Sequence, residues 1–323
     1  MPEAPAELHV CACTTDGLVR YTIRSSTTWT PWEIPLGIAG LASLDGQAVD
    51  VACTRCVRFP GTPGVAEGIY LMIAFSTVPP KLLFRSPDGA WREEQAPDFP
   101  PSRRVAAAFQ AGSRTPLYTA ALVDSGVPFA AVQEQSATTA SIPTEVEWTA
   151  GDRGTMRSAD MHGLPPLETK QPVFLIAAAD DGHAYISSST DSKWTLYAPI
   201  EEKLPGAGIP PGDVIGVAAA ASAYGIVTGD GRVWATTPIS DRQWSQWTDL
   251  ELRILPSPPT VVDVGTFATI AMASTDEGTH VLGTTTDGRL WHQLRNNPTA
   301  IFRDVELSGV HEDIGLVRAV AAA

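Results

Sequence analysis

Lysine, asparagine and charge in general are scarce in this 323-residue chain. There are four lysines beside 18 arginines and two asparagines, Asn296 and Asn297, and charged residues make up 18%, against about a quarter in typical soluble domains. What charge exists is acidic, with 36 carboxylates, 22 basic side chains and a net charge of -14. Nucleic-acid affinity comes largely from neutralising phosphates with Lys and Arg, so this balance argues against a nucleic-acid partner. It also disfavours an anionic membrane surface. Neither asparagine heads a glycosylation sequon, because Asn297 is followed by Pro298. Long hydrophobic runs are missing too. The longest uncharged stretch, Val214 to Gly229, falls short of the ~20 apolar residues that span a bilayer, so no membrane span is expected. The first ten residues, MPEAPAELHV, have neither a basic nor an apolar signal region. This leaves the location open between the cytoplasm and secretion with a signal already removed.

What is abundant is glycine and proline, 27 of each, together with 44% hydrophobic residues. That combination suits a folded chain with a real core and many turns. A repeat accounts for it. A β-rich run, an Asp-Gly turn, a second run beginning near an aromatic residue and a Trp-bearing segment recur at 9–35, 173–200, 224–250 and 280–307. From turn glycine to tryptophan the spacing is 12 (Gly17 to Trp29), 12 (Gly182 to Trp194) and 13 (Gly231 to Trp244). Asp-Gly between alternating β runs supplies the positive φ angles of a two-residue hairpin. Runs rich in Ala and Val, such as RVAAAFQ at 104–110 and VIGVAAAASA at 214–223, precede the hairpins and suit strands converging on a crowded axis.

Four antiparallel strands per repeat make the blade of a β-propeller, and the all-β reading is one six-bladed ring. Two copies are degenerate, at 48–96 and 104–149, the second without the Asp-Gly turn. The chain opens on an outer hairpin with no inner strand and ends on IGLVRAVAAA, an inner strand with nothing after it. The C-terminal strand therefore closes the first blade, which removes a free sheet edge. Blades are expected at about 8–35 with 314–323, then 48–96, 104–149, 156–200, 213–250 and 261–307.

These features resemble the fungal and bacterial six-bladed fucose-binding lectins, and the Trp-x-x-Trp tails at Trp29/Trp32 and Trp244/Trp247 resemble those of seven-bladed bacterial propeller lectins. The resemblance implies a sugar held between blades by an Arg eight residues before the turn glycine, a Glu four after it, and an aromatic ring from a neighbouring blade. Here the Arg position holds His9, Phe174, Ala223 and His280, and the Glu position Tyr21, Ile186, Ala235 and His292. No Arg/Glu pair is present. Three residues after the glycine stand Arg20, Tyr185, Trp234 and Trp291. His9, Arg20, Tyr21 and Trp29 in the first blade, with His280, Trp291 and His292 in the last, combine hydrogen-bonding groups and rings, and are the candidate ligand-binding residues. For Tyr185, Trp234 and Trp291 the competing reading is packing between blades.

The inner strands contribute Asp50, Arg55, Asp263 and Arg318 as candidate channel-lining residues, along with Arg104 and Gln110. Asp160 and His162, two apart on one strand face, are the candidate acid/base pair. Metal-dependent lactonases of six-bladed form use Glu, Asp and Asn ligands, which the two adjacent asparagines cannot reproduce, so no metal or cofactor is expected. The cysteines, Cys11, Cys13, Cys53 and Cys56, admit three readings: buried thiols, a disulfide from the first blade to the second inner strand, or a zinc site. Two functions follow. One is a lectin-like propeller binding a glycan or small ligand, open to forming a homo-oligomer. The other is an enzyme of secondary metabolism on the lectin fold, resembling the hetero-Diels-Alder cyclases of tropolone-terpene pathways and taking an apolar small molecule in one pocket.

Overall fold

The structure is a computed structural model, and it describes residues 7–35, 44, 46–56, 67–110, 116–133, 143–146, 154–163, 172–190, 193–221, 223–240, 243–251, 264–296, 303–304 and 314–323. Six antiparallel sheets form the ring. Blade one runs outward from Val317–Ala322 through Glu7–Thr14 and Val19–Ser25 to Thr28–Trp29. Blade two uses Ala48–Cys56, Gly68–Phe75, Lys81–Arg85 and Trp91–Glu94. Blade three uses Arg104–Phe109, Leu117–Leu122, Pro128–Gln133 and Thr144–Glu145. In blade four, Met156–Gly163, Val173–Ala179, Ala184–Thr190 and Lys193–Trp194 are joined by a short fifth strand, Ala198–Pro199. Blade five comprises Val214–Ala220, Ala223–Thr228, Val233–Thr236 and Thr248–Asp249, with a separate ribbon of Pro238–Ser240 and Gln243–Trp244. Blade six comprises Phe267–Thr275, Gly278–Thr285, Leu290–Arg295 and Arg303–Asp304.

Each inner strand touches the inner strand of the next blade, and the closing strand Val317–Ala322 touches those of blades six and two. Closure is by strand pairing, Val10 opposite Ala322 and Cys13 opposite Ala319. Reciprocal bonds between His9 and Ala323, at 2.9 and 3.0 Å, extend it.

Strand alternation assigns every side chain to one of two seams. In blade one the odd-numbered Cys11, Cys13, Val19 and Tyr21 pack with Val51, Leu71 and Ile73 of blade two. The even-numbered Leu8, Val10 and Ala12 pack with Ala271, Leu282 and Leu290 of blade six. The core is thus a set of seams between sheets.

The repeated turn differs in type from the sequence expectation. Among the turn residues only the glycines have positive φ, Gly17 at 77° and Gly231 at 80°. Gly17 N–H donates to Thr14 C=O at 3.0 Å and Thr14 N–H to Leu18 C=O at 2.9 Å. This is a three-residue loop, a type I turn followed by a left-handed glycine. Asp16 stays at negative φ because its carboxylate accepts the Thr14 hydroxyl instead. Blade three has the same device where none was expected: Gly126, at φ 75°, donates to Val123 C=O at 2.9 Å, with Asp124 and Ser125 completing the loop.

These turns also latch neighbours. Gly17 C=O accepts Ala48 N–H at 3.1 Å, Gly182 C=O accepts Val214 N–H at 2.8 Å, Gly231 C=O accepts Phe267 N–H at 3.0 Å and Gly288 C=O accepts Val317 N–H at 2.8 Å. Nearer the axis, acidic and hydroxyl side chains cap the N–H groups of the adjoining inner strand. Asp50 takes Val105 N–H at 3.0 Å, Thr54 takes Phe109 N–H at 3.1 Å, and Asp160 takes Ala219 N–H at 2.8 Å.

Among the described residues no helix is long and apolar enough to cross a membrane. All four cysteines are buried thiols outside any disulfide. Burial raises the Cys13 thiol to about 12, and burial with a hydrogen bond to Cys11 raises Cys53.

Candidate functional site

The side chains at the lectin-type positions come together across seams, in combinations the sequence reading had not made. His9 and Tyr21 face blade two, where the Tyr21 hydroxyl and His9 Nδ1 are hydrogen-bonded. Burial, reinforced by the nearby Arg55 and Arg85 charges, lowers the His9 imidazole to about 3. Burial likewise raises the Tyr21 phenol. Both are neutral at pH 7, so a single proton joins them, on the phenol or on Nδ1 according to the imidazole tautomer, and His9 Nε2 lies 3.9 Å from Glu7 Oε2.

Blade two supplies the opposite wall. Arg85 and Trp91 are directly paired across its third and outer strands. Arg85 Nε and Trp91 Nε1 both donate to Glu33 Oε1, at 3.0 and 2.8 Å. The guanidinium therefore lies 5.0 Å from the centre of the Tyr21 ring and 6.0 Å from that of Trp91, with the two rings edge to face at 5.1 Å. Cation–π contacts of this kind contribute about 0.5–2 kcal/mol. Between the walls lies a cavity of about 230 Å³ lined by Glu7, His9, Arg55, Glu67, Ile69 and Arg85, among others.

The seam between blades six and one repeats the plan. His280 and His292 take the places of His9 and Tyr21, joined Nδ1 to Nε2 at 2.9 Å, with Thr275 Oγ1 2.8 Å from His280 Nε2. Burial, aided by Arg24, lowers His280 to about 4. From blade one come Arg24 and Trp29, again a directly opposed pair. Arg24 Nη1 donates to Glu277 Oε2 at 2.5 Å, and Trp29 meets His292 edge to face at 5.5 Å.

Further round the ring, polar groups at these positions give way to packing. Tyr118 meets Trp194 edge to face at 6.2 Å, and Phe174 with Trp244 packs against the cluster of Ile176, Ile186 and Tyr224.

Trp29 therefore belongs with His280 and His292, and not with Tyr21 of its own blade. Arg20 lies on the face opposite Tyr21, with Nη1 buried and unpartnered among the described residues. Trp291 lies on the face opposite His292, packed with Phe267 and Leu250 in the seam between blades five and six, under the Arg289 guanidinium at 4.7 Å. Consecutive residues of a strand cannot share a seam, and that rule divides both groups. The Arg–Trp pairs were the missed element. Their signal is RSSTTW at 24–29 and RSPDGAW at 85–91, where an Arg and a Trp flank a tight turn.

The expected channel-lining residues occupy different places in the structure. An axial cavity of about 70 Å³ is lined by Asp50, Arg104 and Asp160 together with Ala and Val side chains. Arg55 shares the odd-numbered face of its strand with Val51 and Cys53, and at the far end of that strand it lines the blade one/two groove instead. Arg318 is exposed and absent from the cavity wall. Asp263 lies outside the described residues.

Asp160 accepts backbone N–H groups from Met161 and Ala219, both at 2.8 Å. Burial raises it to about 7 against the pull of those bonds. His162 stacks on Phe174 at 5.3 Å and meets Tyr224 at 5.1 Å, and burial lowers it to about 4. No hydrogen bond joins Asp160 to His162 among the described residues. Nor is any group of three His, Cys, Asp or Glu side chains there placed to hold a metal ion.

No family model and no curated protein sequence matches the chain. Solved structures do. AofleA of Arthrobotrys oligospora superposes with a TM-score of 0.60 at 10% identity, covering 99% of this chain and 87% of that one. The Aleuria aurantia lectin, solved with Fucalpha1-6GlcNAc, gives 0.57 at 11%, covering 92% and 91%. SapL1 lectin, solved with alpha methyl fucoside, gives 0.58 at 11%, covering 94% and 95%. The chain has the six-bladed fold of the fucose-specific lectins. It is a divergent form of that propeller, with His9/Tyr21 and His280/His292 where the resemblance calls for Arg and Glu.

Proposed function

We propose that the protein is a lectin-like binding module that takes a saccharide in the groove between blades one and two. The related groove between blades six and one is a second, weaker site. The observation carrying this reading is the 230 Å³ cavity whose walls combine guanidinium donors, carboxylate acceptors and an uncharged imidazole. A ring of hydroxyl groups both donates and accepts, and such a mixed wall satisfies it. At that volume, below the ~300–1,000 Å³ of drug-sized sites, the groove suits one sugar ring. In the second groove Arg24 is only 8% exposed and its charge is already met by Glu277, which leaves less for a ligand. The cyclase reading calls for one dominant apolar pocket; the axial cavity measures only about 70 Å³, and the open groove of about 940 Å³ beside Val78 and Pro97 carries Lys81, Glu93, Glu94 and Asp98 on its walls. A glycan array followed by calorimetry tests the proposal. Saccharide binding weakened at least tenfold in Arg85→Ala supports it, and an array and calorimetry blank for every sugar ends it.

A further inference from the structure

The groove between blades one and two holds two guanidinium groups that differ in how far their charge is satisfied. Arg85 is neutralised by Glu33. Arg55 makes no ion pair among the described residues, and its one hydrogen bond there runs from Nη1 to Glu7 C=O at 3.3 Å. The carboxylates of Glu7 and Glu67 share the cavity wall with it, yet neither is within the 4.0 Å of an ion pair. Desolvation depresses the pKa of Arg55, outweighing the opposing pull of Glu7 and Glu67, so the more distant carboxylates offset its burial only in part. A guanidinium offers five N–H donors in a planar fork matched to a carboxylate, and four of the five on Arg55 make no hydrogen bond among the described residues.

Resting on the saccharide reading above, we infer that this groove selects a sugar bearing a carboxylate, which seats bidentate on Arg55 while ring hydroxyls meet His9 and the Glu7 and Glu67 oxygens. The flanking acids keep the site from being a general anion trap, since they repel a ligand with charge on several faces. The net charge of -14 acts against polyanionic chains in the same way. One carboxylate on an otherwise neutral ring satisfies both conditions.

The test compares methyl galacturonoside with methyl galactoside, which differ only in carboxylate against hydroxymethyl, by calorimetry on the full chain. About tenfold tighter binding of the uronoside is expected, shrinking as salt is raised from 50 to 500 mM. Arg55→Gln should bring the two ligands within twofold of each other, whatever it does to the affinity for the galactoside. Arg55→Lys, which keeps the charge and loses the fork, should keep only a minor part of the preference. Equal binding of the two ligands by the unaltered protein overturns the inference and leaves the saccharide reading standing. So does a preference that survives Arg55→Gln, with thermal melts verifying that each variant is folded. Absence of binding by either ligand and across the array removes both.

Discussion

Charge inside this protein is handled one residue at a time, and two neighbours on a single strand respond to pH in opposite directions. His162 has its folded pKa lowered to about 4, so below its ordinary value near 6.5 the unfolded chain binds a proton that the folded one refuses. It therefore contributes stability above pH 6.5 that is lost as the pH falls towards 4. Asp160 has its folded pKa raised to about 7, so the folded state binds the extra proton between its ordinary value near 3.9 and 7. Its contribution grows as the pH falls through 7. Each amounts to at most about 1.4 kcal/mol per pH unit. Denaturant midpoints at pH 7 and pH 5 should show a smaller acid loss in His162→Phe and a larger one in Asp160→Asn. The same slope in both variants and the parent would contradict the assignment. At Glu33, which holds Arg85 and Trp91 together, Glu33→Gln should lower ligand affinity several-fold with little change in melting temperature, because the exchange removes the charge from a half-exposed position and not from the core.

At the level of strands and turns, the repeated glycine performs two tasks. Its left-handed φ closes the hairpin, and its bare Cα lets the next blade approach: a Cβ on Gly17 would lie 2.3 Å from Gly46 O, whereas one on Gly315 meets nothing within 4 Å. Both glycines have positive φ, so both alanine substitutions carry a backbone penalty of about 1 kcal/mol, and Gly17→Ala adds the clash. Gly17→Ala should thus lower the melting temperature clearly more than Gly315→Ala. Much of this architecture was legible in sequence, since the turn-to-Trp spacing and the unmatched strands at the two ends already imply the closed ring. Blade three was read less fully because Asp124-Ser125-Gly126 fills the turn without an adjacent Asp-Gly pair. The groove was harder still. Neighbours in sequence such as Tyr21 and Arg20 separate to opposite seams, while Tyr21 and Trp91, 70 positions apart in sequence, come within 5.1 Å. Only the register of strands in two blades brings them together.

For the ring as a whole, closure by Val317–Ala322 means that blade one is assembled from both ends of the chain. Removing residues 317–323 should expose the Glu7–Thr14 edge, and unpaired edges recruit other strands. The truncated protein is expected to be aggregated or oligomeric by size-exclusion chromatography with light scattering. A monomer with the parent melting temperature would show that the closing strand is dispensable. The odd and even division of blade one has a different consequence, one for how such proteins diversify. Because His9 and Tyr21 look one way and Arg24 and Trp29 the other, a substitution on one face of the blade alters one seam and leaves its neighbour untouched. On the proposed saccharide reading, copying a whole blade would transmit two unmatched half-sites, each acquiring a specificity only from the blade it comes to stand beside. The ligand repertoire of such a ring is written in the order of its blades as much as in their individual sequences.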